Sequence, residues 1–149
     1  MHGKTTILRD LTRKISDGIE EINFKPKICG LVDERGEIAA MYKGKAQNDI
    51  GKNTDVITNI TKSEGIMMLL RSMSPQIIIC DEIGTKEDAL SLQKATLSGV
   101  KGLFTMHCGS IEEIFKNINL KSIFENKLIQ RVIILDSKNK GQIKEILKI

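Results

Sequence analysis

Four short clusters hold the residue types that could do chemistry together: Gly3-Lys4-Thr5, Asp33-Glu34-Arg35, Asp81-Glu82 and His107. The first matches the end of the pattern GxxxxGK[ST]. There, backbone N–H groups at a helix start hold phosphates while the lysine neutralises their charge. Thr6 lies in the same first turn, and the Thr5 hydroxyl would ligate magnesium. Only Met1 and His2 precede the run, so three residues carry the signal, and taken alone an ordinary helix start accounts for them better.

The second signal is QIIICDEIG, an apolar β-branched run that ends in Asp81-Glu82. Such a pair suits nucleotide hydrolysis, with Asp81 in the magnesium shell and Glu82 orienting or deprotonating the attacking water. Two carboxylates can also merely open a loop, but that reading weakens once a Gly-Lys-Thr run lies upstream, since both halves then serve one ligand. Asp33 and Glu34 follow another apolar run, KICGLV, and either join the metal shell and position water or form a surface ion-pair cluster with Arg35. His107 ends a third run. A lone histidine there is more often structural, but its place beside the other clusters makes it a candidate sensor of the terminal phosphate.

Positioning these clusters on one edge requires an alternation of strands and helices. Leu8, Leu11 and Ile15 share one face of a helix from Lys4 to the Asp17-Gly18 stop. Lys27–Val32 reads as a strand, and residues 42–55, with their glycines and weak periodicity, read as a long functional loop. Ser63 is the expected cap of a helix running through Arg71 to Ser74-Pro75. Gln76–Cys80 is apolar on both faces, as a central parallel strand must be when helices cover both sides. Thr85 to Asp88 has capping-box spacing for a helix ending at Ser98-Gly99, Val100–Met106 reads as a second buried strand, and Ser110 to Glu113 opens another helix. Two alternating runs between Leu128 and Ile149 predict a terminal hairpin. The expectation is therefore an α/β fold, a mostly parallel three-layer α/β/α sheet with a C-terminal β-hairpin, over residues 1–149 as a single domain. In such sheets, ligands bind at the carboxyl ends of the strands.

Composition narrows the classes. A chain of 149 residues, 40% hydrophobic and 28% charged, is ordinary for one globular core. Its three cysteines, Cys29, Cys80 and Cys108, are odd in number and far apart, so neither a disulfide framework nor a CxxC metal pair is expected. The methionines sit inside apolar runs, as core filling. No apolar run approaches the ~18 to 20 residues of a membrane span, nor does the start read as a signal peptide, so the expected compartment is the cytoplasm. Net charge is +4 and spread along the chain, with one Tyr, four Phe and no Trp, which argues against a dedicated nucleic-acid binder.

Taken in order, GKTTILRDL, VDERGEIA, QNDIG, EGIMMLLRSMSP, DEIG and TMH resemble the stage III sporulation AA family of ATPases. More broadly the order is similar to the type II and type IV secretion ATPases, with their acidic box, Walker B strand and histidine box. The resemblance runs from the first residues to about His107. It implies a RecA-like P-loop NTPase core that binds ATP and Mg2+. It implies also ring-shaped homo-oligomers such as hexamers, and energy supply to membrane-embedded sporulation channel proteins at the mother-cell membrane around the forespore, with peripheral membrane association through partners. By motif, Gly3, Lys4 and Thr5 correspond to the phosphate loop, with Thr6 beside them, Asp33 and Glu34 to the acidic box, Asp81 and Glu82 to Walker B, and His107 to the histidine box. The family's phosphate loop begins earlier, so the first strand and half of that loop are expected to be missing here. Thr85 stands where the family pattern leads one to expect arginine, which leaves Arg9, Arg35 and Arg71 as candidates for an arginine acting across a subunit boundary. Two other classes stay open: a catalytically silent interaction module, and a nucleic-acid-stimulated P-loop ATPase.

Overall fold

Two strands with almost no solvent contact organise the molecule. In the computed structural model, which describes residues 3–149 and leaves Met1 and His2 outside, β1 (Cys29–Asp33) is buried at every residue and β5 (Ile77–Cys80) at all but Ile77. They pair in parallel, with Cys29 opposite Ile77 and Val32 opposite Cys80. Flanking them are β4 (Thr54–Thr58), parallel to β1, and β6 (Lys101–Phe104), parallel to β5, giving the order β4-β1-β5-β6. Because all four strands run the same way, Asp33, Asp81 and Thr105 come to one rim at their carboxyl ends.

Strand alternation divides the apolar side chains between two cores. Cys29, Leu31 and Ile79 face α1 (Lys4–Asp17) and pack with Leu8, Ile38, Ala39 and Ile50. On the other side, Val32, Ile78 and Cys80 face α2 (Lys62–Ser72) and α3 (Lys86–Leu97), where Ile66, Leu69, Ala89, Leu92 and Ala95 are buried. Helices therefore cover both faces of a parallel sheet, as the apolar runs of β1 and β5 require. Gly65 sets the approach of α2, since a Cβ there would lie 2.6 Å from Val32 Cγ1.

Several elements depart from the sequence reading. Residues 42–55 are not one loop: β2 (Met41–Tyr42) and β3 (Lys45–Ala46) form a small antiparallel hairpin, and β4 follows. The polar residues of β4, TDVIT, hide its period because it is an edge strand with Asp55 turned to solvent. The cap of α2 is Thr61 rather than Ser63; Thr61 is extended and its hydroxyl accepts from Glu64 N. β6 is shorter than Val100–Met106 and is exposed at Lys101 and Gly102, because among the described residues no strand pairs with its outer edge. The helix after Ser110 is broken into α4 (Ile111–Lys116) and α5 (Lys121–Glu125). As expected, Thr85 and Asp88 close a capping box on α3, worth about 1 kcal/mol. The tail forms a hairpin of β7 (Arg131–Leu135) and β8 (Ile143–Lys148), which is a separate two-stranded sheet. Among the described residues no helix is long and apolar enough to cross a membrane.

Candidate functional site

The rim gathers residues that lie as many as 103 positions apart. Thr5, in the first turn of α1, donates its hydroxyl to Asp81 Oδ2 at 2.8 Å. One residue earlier, Lys4 Nζ lies 3.4 Å from His107 Nδ1, past the end of β6. Asp81 Oδ1 accepts the Thr105 hydroxyl, so both of its oxygens are engaged, one from each side. Glu82 follows in a left-handed conformation, φ 52°, which is uncommon for a residue with a Cβ and marks a backbone held by its surroundings.

The start of α1 carries uncompensated positive potential. Gly3 has φ 80°, no side chain caps the helix, and its first turn contains no acid. The leading amides of a helix lack intrahelical acceptors, and the helix dipole adds positive potential there. Lys4 increases that potential instead of compensating it. Glycine suits this position, because φ is positive and a Cβ would crowd Gly141 N, in the loop between β7 and β8, at 3.1 Å.

The second half of the rim is acidic. Asp33, Glu34, Glu37, Asp81 and Glu82 line a narrow crevice with Arg35 and Lys62, five acids against two bases. Asp33 is only 2% exposed and accepts from Ile38 N and Ala39 N, the shortest contact being 2.8 Å. Its carboxylate therefore holds the turn through residues 34–39. Glu34 pairs with Lys62, the first residue of α2, whose side chain is 13% exposed. Arg35 Nη1 meets Glu82 Oε2 at 2.7 Å; with both partners largely exposed, the pair adds at most about 1 kcal/mol and opens readily. A wider cleft of ≈ 320 Å³ continues from Arg35 and Glu82 past His107 and Cys108 to Asn117. Burial pushes the Cys108 thiol up and Glu113 adds to this, whereas the Lys4 charge opposes it.

Gly3, Lys4, Thr5, Asp33, Glu34, Arg35, Asp81, Glu82 and His107 thus all lie on this rim, while Thr6 in the same helical turn is turned to solvent. Of the three arginines singled out, Arg9 is committed within the chain, donating to the carbonyls of Ile38 and Glu37 at 2.7 Å each. Arg35 is paired with Glu82, and Arg71 lies exposed at the far end of α2. Three residues at the rim were not singled out in the sequence reading, Glu37, Lys62 and Thr105. A lysine at a helix start gives no signal of its own, but Thr105 stands two residues before His107, where a β-strand end faces the neighbouring strand.

Magnesium and a nucleotide triphosphate fit what is present. Among the described residues no three His, Cys, Asp or Glu side chains converge as a metal cage. Magnesium, however, takes one or two protein oxygens and completes its shell with water and phosphate. Thr5 and Asp81 in mutual contact supply such a pair next to the uncapped helix start.

Residues 1–148 match the family described as Sporulation stage III, protein AA. The chain is 41% identical over 145 residues to Stage III sporulation protein AA of Bacillus subtilis (strain 168), covering 97% of this chain and 47% of that protein. It is 29% identical over 152 residues to the protein ycf45 of Porphyra purpurea, covering 98% of this chain and 25% of the relative. It is also 29% identical over 121 residues to protein SEEDLING PLASTID DEVELOPMENT 1 of Arabidopsis thaliana, covering 80% and 17%. The chain spans about half the length, or less, of these curated relatives. A match across nearly all its residues places it: the chain belongs to the sporulation stage III protein AA family.

Proposed function

We propose that the rim is the nucleotide site of a magnesium-dependent ATPase with a RecA-like P-loop core. The observation that carries this reading is the 2.8 Å hydrogen bond from Thr5 to Asp81, which joins a helix start to a strand end across 76 residues of sequence. A hydroxyl and a carboxylate meeting there are two protein oxygens that would suit magnesium, which takes few protein ligands. The first-turn amides of Gly3, Lys4, Thr5 and Thr6 and the Lys4 ammonium bind the triphosphate. Thr5 and Asp81 would hold magnesium, which would neutralise charge on the phosphate oxygens.

Glu82 orients the attacking water and takes its proton, which requires the Arg35 contact to open. Glu34, kept in place by Lys62, positions the same water, and Asp33 and Arg35 complete the rim. His107, against Lys4, reads the terminal phosphate. Family membership supports a role in sporulation, and the resemblance to secretion ATPases extends the proposal to the whole protein: a ring-shaped homo-oligomer, cytoplasmic and peripheral at the mother-cell membrane around the forespore, supplying energy to a secretion or channel complex there.

The test is Glu82→Gln in the full-length protein. Turnover is expected to fall by about 10²- to 10⁴-fold while magnesium-dependent binding of a fluorescent ATP analogue persists. Undiminished hydrolysis rejects Glu82 as the water-orienting residue, and wild-type protein that binds no ATP rejects the nucleotide site. A second reading, a catalytically silent module that packs into a ring, draws on the outer edge of β6, which is unpaired among the described residues. The same binding titration separates the two, since tight magnesium-dependent binding refutes silence.

A further inference from the structure

We infer that Thr105 is a positioning residue that locks the Asp81-Glu82 turn for catalysis; the inference rests on the ATPase reading above. Thr105 makes four hydrogen bonds to four consecutive residues of the neighbouring strand end. Its N–H donates to Cys80 O at 3.4 Å and its carbonyl accepts from Ile83 N at 2.9 Å. Its hydroxyl donates to Asp81 Oδ1 and accepts from Glu82 N at 2.9 Å.

The two main-chain bonds extend the β5–β6 pairing and would survive any side chain. The hydroxyl does something else. A hydroxyl offers one proton and two lone pairs, and here the proton fixes the carboxylate of Asp81 while a lone pair fixes the amide of Glu82. With Asp81 Oδ1 occupied by Thr105, its Oδ2 is left facing Thr5. With the Glu82 amide tied down, that residue is held at φ 52°, a backbone state that few residues with a Cβ adopt unaided. One oxygen atom thus sets the direction of the proposed metal ligand and of the proposed base. Serine can make both bonds, and valine, of the same shape, can make neither.

The prediction follows from that difference. In the full-length protein Thr105→Val lowers kcat by roughly 10- to 100-fold, the size of loss that a misplacement of about 1 Å produces. It also raises the magnesium concentration needed for half-maximal rate. Thr105→Ser recovers most of both. Amide hydrogen exchange supplies a readout independent of turnover. In Thr105→Val the Glu82 amide loses protection, while the Ile83 amide, bonded to the Thr105 carbonyl, keeps it. A kcat unchanged by valine, or a serine variant as impaired as valine, overturns the positioning role, as does unaltered exchange at Glu82. Loss of protection at Ile83 as well as Glu82 overturns it too, because the defect is then general loosening of the strand ends. Wild-type protein that hydrolyses no ATP sinks the ATPase reading itself, an outcome distinct from a turnover that ignores residue 105.

Discussion

Replacing Asp33 separates two roles that an acidic residue at a strand end can have. Its carboxylate is 2% exposed and receives the N–H groups of Ile38 and Ala39. Hydrogen bonds to a charged acceptor contribute about 1.5 to 3 kcal/mol and neutral ones about 0.5 to 1.5. In Asp33→Asn each of the two bonds loses about 1 kcal/mol of charge assistance, and the new NH2 group, in the place of Oδ1, is turned towards the Ile38 N–H, from which it cannot accept. The expected loss is about 2 to 3 kcal/mol of folding stability, and about 4 for Asp33→Ala, which orphans both amides. Urea unfolding followed by far-ultraviolet circular dichroism, without nucleotide or magnesium, measures it. The partner substitution Asp81→Asn, at a half-buried position served by side-chain donors, is expected to cost less than about 1 kcal/mol. If Asp33→Asn unfolds within about 0.5 kcal/mol of the parent, the carboxylate does not hold the 34–39 turn and the division of labour drawn here is wrong.

Gly51 combines φ 86° with a Cβ position 2.4 Å from Ser16 Cβ and 3.0 Å from Arg13 O. Gly51→Ala should therefore destabilise by about 2 to 4 kcal/mol, the sum of left-handed strain and overpacking against α1; a melting temperature equal to the parent's contradicts the contact. Alkaline stability reports on the two cores. Burial pushes the Cys29 thiol up to about 11 and the Cys80 thiol up to about 12, from 9.0. Both stay protonated longer in the folded chain, so their contribution is complete below pH 9.0 and is lost as pH rises through those folded values. Each thiol adds a slope of up to about 1.4 kcal/mol per pH unit. The Cys29→Ala/Cys80→Ala double variant, titrated from pH 8 to 10.5 against urea, should lose that slope, and identical slopes would remove both thiols from the account.

The apolar strands were legible because burial on both faces leaves runs such as QIIIC that no surface element would carry. The capping box at Thr85 was legible for a different reason, since both partners lie within four residues. Edges were not. β4 keeps Asp55 in solvent and β6 keeps Lys101, so their periods are diluted by side chains that contribute nothing to the core. Ser63 and Thr61 are both competent caps, and what decides between them is that Lys62, once inside the helix, reaches Glu34 in the turn after β1. The same limitation hid Thr105, whose importance comes from bonds to residues 22 to 25 positions earlier and not from any local pattern. The acidic, lysine-threonine and histidine clusters were found by type, but that Asp33 is turned towards backbone amides became apparent only in three dimensions.

The unequal cover of the four parallel strands divides the rim into a stiff half and a yielding half. Asp33 and Asp81 hang from the ends of strands paired on both sides and roofed by helices, the part of such a fold that opens last. His107 follows a strand that is bordered on one side only among the described residues, and Lys4 stands in the first turn of a helix. Slow hydrogen exchange should be concentrated under the acids and fast exchange under the basic groups opposite them, so that any ligand gripped between the two meets a fixed jaw and a compliant one.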